Sequence, residues 1–128
     1  FYTPDAQLKR NLRFPLIVKP VSQGSSAGIV NKSVVNNLVE LERQIRWVHR
    51  AFSQPALVEP FLTGREFSVA MLGNPPEILP IIEADHLALP EDYPPLDSLE
   101  VKWYVEEEGG EDHLICPAQV SDRLKTKI

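Results

Sequence analysis

The feature that most constrains this chain is a short apolar segment that ends in a lysine and leads into a loop of small residues. Residues 16–18 are Leu, Ile and Val, which favour a buried β-strand, and Lys19 follows at the strand end. Residues 22–28 read Ser-Gln-Gly-Ser-Ser-Ala-Gly, so the loop offers hydroxyls and backbone N–H groups without bulky side chains. A lysine on a rigid strand beside such a loop suits an anionic phosphate. We therefore expect an anion-binding loop and a return strand near Ile29.

The loop differs from a Walker A phosphate-binding loop. That motif ends in Gly-Lys-Ser/Thr and continues into a helix, whereas Gly28 is followed by Ile-Val-Asn, which resembles a returning strand. On its own, the segment equally fits an ordinary serine–glycine hairpin with a solvated lysine. The rest of the chain has to distinguish these two interpretations.

A second block, residues 56–73, combines short apolar runs with single acidic residues. One apolar run ends at Glu59, a linker continues to Gly64, and Glu66 opens an alternating strand pattern. Two further blocks follow, Ser-Leu-Glu-Val-Lys-Trp at residues 98–103 and Ile-Cys-Pro-Ala at residues 115–118.

In this order and spacing, the four blocks resemble the ATP-grasp superfamily, and specifically its D-alanine–D-alanine ligase group. Members of that group have a strand-Lys-Pro, a Gly-Ser-Ser loop, a Val-Glu-x-Phe hinge and a Gly-x-Glu motif. They continue with a Tyr-Glu-Ala-Lys-Tyr/Trp segment and a Pro-Ala strand before a helix. The resemblance extends from about residue 14 to residue 128.

The resemblance implies an α+β fold, an ATP-grasp-like antiparallel sheet packed with helices, as a partial domain. Residues 1–64 would form the ATP-grasp small subdomain, and residues 65–128 would begin the catalytic subdomain. In the family, the magnesium ligands follow the strand and helix that begin here near Val120. We therefore expect no metal ligand in this chain and expect the isolated chain to be inactive.

The resemblance also implies how the triphosphate of ATP is held. Lys19 and Lys102, which we expect on extended segments, match lysines that contact the α/β and β/γ phosphates. Ser25 and Ser26 would close over the phosphates. Within this group, Lys102 and Ser25 are the predicted catalytic residues, because their groups would face the phosphoryl group as its charge develops.

Matching positions imply the recognition of adenine and ribose. Glu59 would accept a hydrogen bond from the adenine amine, and the backbone of Phe61 and Leu62 would meet the ring edge. Glu66 would bond the ribose hydroxyls. An apolar slot for the ring would be formed by Ile17, Val58, Phe61 and Leu62.

The activity implied is that of an ATP-dependent carboxylate–amine ligase, most similar to D-alanine–D-alanine ligase of peptidoglycan biosynthesis, which acts through an acyl phosphate. Its cofactors would be ATP and magnesium, and its partners ATP and an amino-acid substrate; a homodimer is left open. Two departures from the family pattern leave open a different carboxylate–amine ligase. This chain has Trp103 where many members have tyrosine, and it has Arg65. A second alternative is a non-catalytic nucleotide-binding or interaction module with an ATP-grasp fold.

Composition excludes some other classes. The net charge of −5 and the lack of a Lys/Arg stripe argue against a nucleic-acid surface. No apolar run reaches membrane length and no signal peptide is visible, so we expect no membrane partner and a cytoplasmic location. The single cysteine, Cys116, excludes an intramolecular disulfide and is expected to be buried.

Periodicity predicts the remaining elements. Apolar residues at a three-to-four spacing predict a helix over residues 34–52 with Ser33 as its N-cap, and residues 3–12 resemble the end of another helix. Strands are expected at residues 57–59 and 66–72, the latter with Phe67, Val69 and Met71 on a core face, and an antiparallel partner at residues 77–83. Residues 86–98 predict a long loop and residues 106–112 an acidic turn.

Overall fold

The computed structural model describes residues 1–8, 11–106, 109 and 113–128. It confirms the α+β prediction, with short antiparallel sheets and few helices. The strands are β1 (Leu16–Pro20), β2 (Val34–Val35), β3 (Ala56–Pro60), β4 (Glu66–Ser68), β5 (Met71–Leu72), β6 (Glu77–Ile78), β7 (Ile82–Ala84) and β8 (Leu114–Ile115). The helices are α1 (Leu38–Phe52), α2 (Leu99–Glu106) and α3 (Asp122–Lys125), with 3-10 turns at Asn31–Ser33 and His86–Ala88.

The first half of the chain packs one helix on one face of a three-stranded sheet. The sheet has the order β2-β1-β3, and both pairings are antiparallel. Alternate residues of β1 are buried, as expected for a strand with one face against a core. The core consists of apolar residues from the sheet and α1: Leu16, Val18, Val35, Leu41, Ile45, Val48 and Ala56.

The second half contains a three-stranded antiparallel sheet of order β4-β7-β8 and a separate hairpin of β5 and β6. The predicted antiparallel pairing of residues 66–72 with residues 77–83 is therefore confirmed. The first of these segments is divided, however, because residues 69 and 70 lie between β4 and β5. The predicted core face holds only in part, since Met71 is 66% exposed.

Helix α1 begins later than its apolar spacing predicts. Val34 and Val35 pair with Ile17 and Leu16 as β2, so these two β-branched residues extend the sheet instead of starting the helix. This also places the return strand after residue 33, not near Ile29. The true N-cap is Asn37, whose side chain accepts a hydrogen bond from Glu40 N at 3.0 Å.

Three other expectations are corrected. Among described residues 3–8 and 11–12 there is no helix; Tyr2 instead forms a β-bridge with Ala56 that adds the N-terminal segment to the first sheet. Cys116 is exposed, because it follows an edge strand whose residues are themselves exposed. Residues 86–98 are a loop apart from one 3-10 turn. The predicted acidic turn at residues 106–112 lies largely outside the described residues.

Within the part of the chain that the structure describes, no helix combines the length and apolar character needed to cross a membrane.

Candidate functional site

The face of the first sheet that points away from α1 carries two of the predicted site residues. Pairing of β1 with β3 sets Ile17 opposite Glu59 and Lys19 opposite Leu57, so the four side chains share this face. Lys19 Nζ lies 2.6 Å from Glu59 Oε2, and the two side chains are 33% and 44% exposed. The sheet thus presents an ion pair flanked by two aliphatic side chains.

The same register corrects one part of the predicted adenine slot. Val58 pairs with Val18, which is buried in the core, and Val58 itself packs against the core cluster. Its side chain is therefore on the face opposite to Ile17. The side chain that joins Ile17 on the open face is Leu57, a residue that sequence reasoning missed, although strand alternation from Glu59 identifies it.

The serine–glycine loop lies beside this face and borders an open cavity of about 390 Å³. Lys19, Leu57 and Ile29 border the cavity together with residues 23–27 of the loop. Both predicted phosphate-binding serines, Ser25 and Ser26, are among these loop residues. The structure therefore brings Lys19, Ser25 and Ser26 to one cavity.

A tight turn forms the tip of this loop. Ala27 N donates to Gly24 O at 2.9 Å, and the two central residues, Ser25 and Ser26, have φ values of 51° and 57°. Positive φ at both central positions is the pattern of a type I′ turn, which usually has glycine or asparagine there. Two serines in this conformation store local strain, which is concentrated at functional sites in many proteins.

The two serines have different partners. Ser26 Oγ donates to Asp97 O at 2.7 Å, so this hydroxyl fastens the turn to the segment before α2. Among the described residues, the hydroxyl of Ser25 and the backbone N–H groups of Gly24, Ser25 and Ser26 have no hydrogen-bond partner. These are the donors that the loop offers to an anion in the cavity.

Gly28 does not serve close approach to an anion. Its φ is +81°, and a Cβ at this position would lie 2.3 Å from Pro20 Cγ and 2.9 Å from Phe52 Cε2. Gly28 is therefore required for packing of the loop base against β1 and α1. Gly24 has open space around it, which is compatible with an approaching ligand.

The loop is also tied to the start of α2. Leu99 N donates to Ile29 O at 2.8 Å, Ser98 Oγ to Asn31 Oδ1 at 2.8 Å, and Asn31 N to Glu100 Oε1 at 3.1 Å. These contacts join residues that are about 70 positions apart in the sequence. The cavity loop and α2 therefore form one connected unit.

Lys102 lies on α2 and not on an extended segment. The helix starts because Ser98 Oγ accepts a hydrogen bond from Val101 N at 3.2 Å, which is an N-cap contact. Lys102 Nζ is 3.8 Å from Asp97 Oδ2, and Asp97 also accepts the Ser26 hydroxyl through its carbonyl. Asp97 thereby links Lys102 to the cavity loop, a role that only the tertiary contacts reveal.

The predicted hinge residues, Phe61 and Leu62, lie between β3 and β4. Phe61 N donates to Pro15 O at 3.1 Å, so its N–H group is occupied. Leu62 is 86% exposed, and its N–H group has no partner among the described residues. Of the two predicted hinge residues, Leu62 is the one with a free donor.

Glu66 begins β4 beside an ion pair between the half-exposed Arg65 and the buried Glu83. Arg65 contacts Glu83 through Nε at 2.5 Å and a second nitrogen at 2.6 Å, and also donates to Gln119 O at 2.8 Å. This bidentate hydrogen bonding lowers the pKa of the Glu83 carboxyl and raises the pKa of Arg65. Glu66 itself is exposed and contacts His86, a loop residue that nothing in the sequence marked as functional.

The donor set of the cavity fits an anionic phosphate better than a cation. It combines one ammonium group with N–H and O–H donors that have no partner among the residues that the structure describes. No group of three or more His, Cys, Asp or Glu residues that could hold a metal ion occurs among the described positions. The N–H and ammonium donors around this cavity would therefore hold phosphate oxygens and not a magnesium ion, which takes oxygen ligands.

Comparison with known proteins gives a family model that matches residues 3–128; its description is D-ala D-ala ligase C-terminus. A D-alanine–D-alanine ligase of Desulfotalea psychrophila is 33% identical over 129 residues, which cover 100% of this chain and 36% of that protein.

Two other relatives are equally similar. A D-alanine–D-alanine ligase of Bacillus velezensis is 33% identical over 98% of this chain and 33% of its own length. The uncharacterized protein y4sG of Sinorhizobium fredii is 33% identical over 92% of this chain and 33% of its own length. The chain thus spans about a third of the length of these curated relatives.

Proposed function

This chain belongs to the D-ala D-ala ligase C-terminus family, and we propose that it is the ATP-binding part of an ATP-dependent carboxylate–amine ligase. In this proposal residues 1–64 are the small subdomain of an ATP-grasp unit, and residues 65–128 begin the catalytic subdomain. The observation that carries the proposal is the cavity bordered by Lys19, Ser25 and Ser26, with its unpaired donors next to an aliphatic sheet face.

The phosphates of ATP occupy the cavity in this proposal. The Lys19 ammonium and the free donors of Gly24 and Ser25 bind the charged oxygens, since charge-assisted hydrogen bonds are the stronger kind. Lys102 reaches the triphosphate from α2, and its link to Ser26 through Asp97 keeps both on the same side of the loop. Lys102 and Ser25 are the proposed catalytic residues, because they oppose the charge of the transferred group.

The adenine ring lies on the sheet face between Ile17 and Leu57 and reaches the hinge. The free N–H group of Leu62 donates to a ring nitrogen, and Glu59 accepts from the exocyclic amine. Phe61 contributes its side chain to the slot, because its N–H group is already bonded to Pro15. The ribose hydroxyls donate to Glu66, which is exposed on β4.

In the reaction that we propose, a carboxylate oxygen attacks the γ-phosphorus of ATP and ADP leaves, which forms an acyl phosphate. An amine then attacks the acyl carbon, and inorganic phosphate leaves as the new amide forms. D-alanine is the proposed amino acid, and peptidoglycan synthesis in the cytoplasm is the proposed setting. A homodimer is the proposed assembly. Magnesium, when bound, would neutralise phosphate charge; no group of three or more candidate ligands for it occurs among the described residues.

Calorimetric titration of the chain with ATP and with GTP tests this proposal. We expect ATP to bind more tightly, because Glu59 accepts a hydrogen bond from an amine but repels the carbonyl oxygen of guanine. Equal affinity for the two nucleotides would contradict the hinge assignment. Failure of both to bind at millimolar concentration would overturn the proposed function.

A further inference from the structure

His86 makes a specific contact with Glu66, the residue proposed to bind the ribose hydroxyls. Its Nε2 lies 3.1 Å from Glu66 Oε2, and its side chain is only 6% exposed, whereas the Glu66 side chain is 59% exposed. A buried imidazole therefore holds one carboxylate oxygen of a side chain that is otherwise in solvent.

The direction of this hydrogen bond follows from its partners. A carboxylate only accepts, so Nε2 is the nitrogen that carries the proton and donates. The other ring nitrogen, Nδ1, is buried and has no partner among the described residues. Among the described residues, the hydrogen bond to Glu66 is therefore the one hydrogen bond that this ring makes.

The imidazole itself is fixed from two sides. The His113 ring lies at a centroid distance of 5.7 Å and an angle of 31°. Asp85 Oδ1 accepts a hydrogen bond from Leu87 N at 3.1 Å, which caps the 3-10 turn that carries His86. Asp85 N donates to His113 O at 2.8 Å, so the segments of both rings are joined through the backbone.

We propose that His86 is a positioning residue that fixes the Glu66 carboxylate for the ribose hydroxyls of the nucleotide. This inference rests on the proposed ATP-binding function. A glutamate as exposed as Glu66 samples many rotamers in solvent, and each bond to a ribose hydroxyl requires one of them. A buried donor 3.1 Å from Oε2 selects that rotamer before the nucleotide arrives.

The test compares ATP with 2′,3′-dideoxy-ATP, which lacks the hydroxyls that Glu66 would bind. Calorimetry measures the dissociation constant of each nucleotide. The ratio of the value for 2′,3′-dideoxy-ATP to the value for ATP should exceed one for the unmodified chain. His86→Phe keeps an aromatic ring but removes the donor, and should lower the ratio by about threefold to tenfold, the effect of one hydrogen bond. The loss should fall on ATP, with the affinity for the dideoxy nucleotide unchanged.

Two polar substitutions keep the test decisive if His86→Phe does not fold. The amide nitrogen of His86→Gln takes the place of Nε2 and should retain most of the ratio, while the shorter His86→Asn should lose it. His49→Phe is the matched control, because this exposed histidine of α1 lies outside the proposed site, and the ratio should stay unchanged. In a double-mutant cycle, Glu66→Gln should lower the ratio, and adding His86→Phe should lower it no further.

The outcomes separate this inference from the function on which it rests. Equal weakening of both nucleotides by His86→Phe and His86→Asn would show a structural role and overturn the inference alone. An unchanged ratio in all His86 variants would also overturn it while ATP binding stands. An unmodified chain that binds neither nucleotide overturns the proposed function and the inference with it.

Discussion

Lys19 Nζ and Glu59 Oε2 form an ion pair at 2.6 Å on the open face of the first sheet. The two residues are diagonal neighbours on β1 and β3, since Lys19 is opposite Leu57 and Glu59 is opposite Ile17. In the proposed complex they serve different parts of the nucleotide, the phosphates and the adenine. In that complex, binding of ATP would exchange this ion pair for two contacts with the ligand.

The exchange predicts two effects of Glu59→Gln, one on tripolyphosphate affinity and one on the preference for ATP over GTP. Tripolyphosphate, which has no adenine, should bind about twofold to fivefold more tightly, because an exposed ion pair no longer competes for Lys19. The preference for ATP over GTP should fall, since the glutamine amide can donate to the guanine carbonyl. Titration with the three ligands measures both effects; weaker binding of tripolyphosphate would contradict the competition.

Lys19→Ala and Lys102→Ala should weaken ATP more than AMP. We expect about a tenfold loss for ATP and a smaller one for AMP, because a lysine near the phosphates acts in proportion to the charge that it faces. Lys125→Ala, on the exposed surface of α3, is the matched control and should change neither. Equal losses for ATP and AMP would indicate that these lysines act through folding.

Ser25→Gly should stabilise the fold and separate stability from binding. Glycine relieves the cost of the positive φ of 51°, so the free energy of unfolding should rise by up to about 1 kcal/mol. Affinity for ATP should fall with the loss of the hydroxyl. Ser22→Gly, at a position without positive φ, should instead lower the stability slightly, and urea denaturation of both variants provides the comparison.

The two loop glycines should differ in their response to alanine. Gly28→Ala should cost more than about 2 kcal/mol, because its Cβ would collide with Pro20 and Phe52 at a positive φ. Gly24→Ala meets nothing within 4 Å and should leave the free energy of unfolding within about 0.5 kcal/mol. ATP affinity of Gly24→Ala should nevertheless fall if the loop backbone approaches the phosphates. Thermal denaturation and titration together test this pair.

Acid should weaken the contact between Arg65 and Glu83. The hydrogen bonds from Arg65 lower the pKa of Glu83 in the folded state below its ordinary value of 4.5, so its stabilising contribution is present above about pH 4.5 and is lost as the pH falls through the lowered value. Glu83→Gln should therefore be less stable than the unmodified chain at pH 7, with a difference that narrows toward pH 3.

A second carboxyl changes protonation in the same pH range. Backbone and side-chain hydrogen bonds from Asn36 and Asn37 also lower the pKa of Glu40. Glu40→Gln is therefore the control for this assignment. Denaturation at a series of pH values should show, for each variant measured separately, a difference in unfolding free energy from the unmodified chain that narrows toward pH 3. A difference for Glu83→Gln that stays constant with pH would exclude a contribution of Glu83 protonation to stability.

Local patterns in the sequence determined the elements that depend on neighbouring residues. The apolar run before Lys19 is strand β1, and the three-to-four spacing correctly predicted most of α1. Family membership followed from the order of four motifs, and the comparisons confirm it. These features were accessible because strand alternation, helix periodicity and motif spacing are properties of the chain itself.

Tertiary contacts decided the features that depend on pairing between distant segments. The register of β1 with β3 turned Val58 into the core and placed Leu57 on the open face. Pairing with β1 likewise placed Val34 and Val35 in the sheet, so α1 begins at Leu38 and not at residue 34. A register or a side-chain partner is set by which segments meet in the folded chain, so local sequence does not specify it.

The contacts of individual side chains show the same division. The sequence placed a lysine on a strand and two serines in a loop. Only the fold shows that the Ser26 hydroxyl donates to Asp97, whereas that of Ser25 has no partner within the described part of the chain. His86 carries no local pattern at all, and its contact with Glu66 arises because the loop after β7 returns beside β4. The sequence determined which chemical groups are available at this site. The tertiary structure decided which of them meet, because the energy of each contact depends on a geometry that only the folded chain supplies.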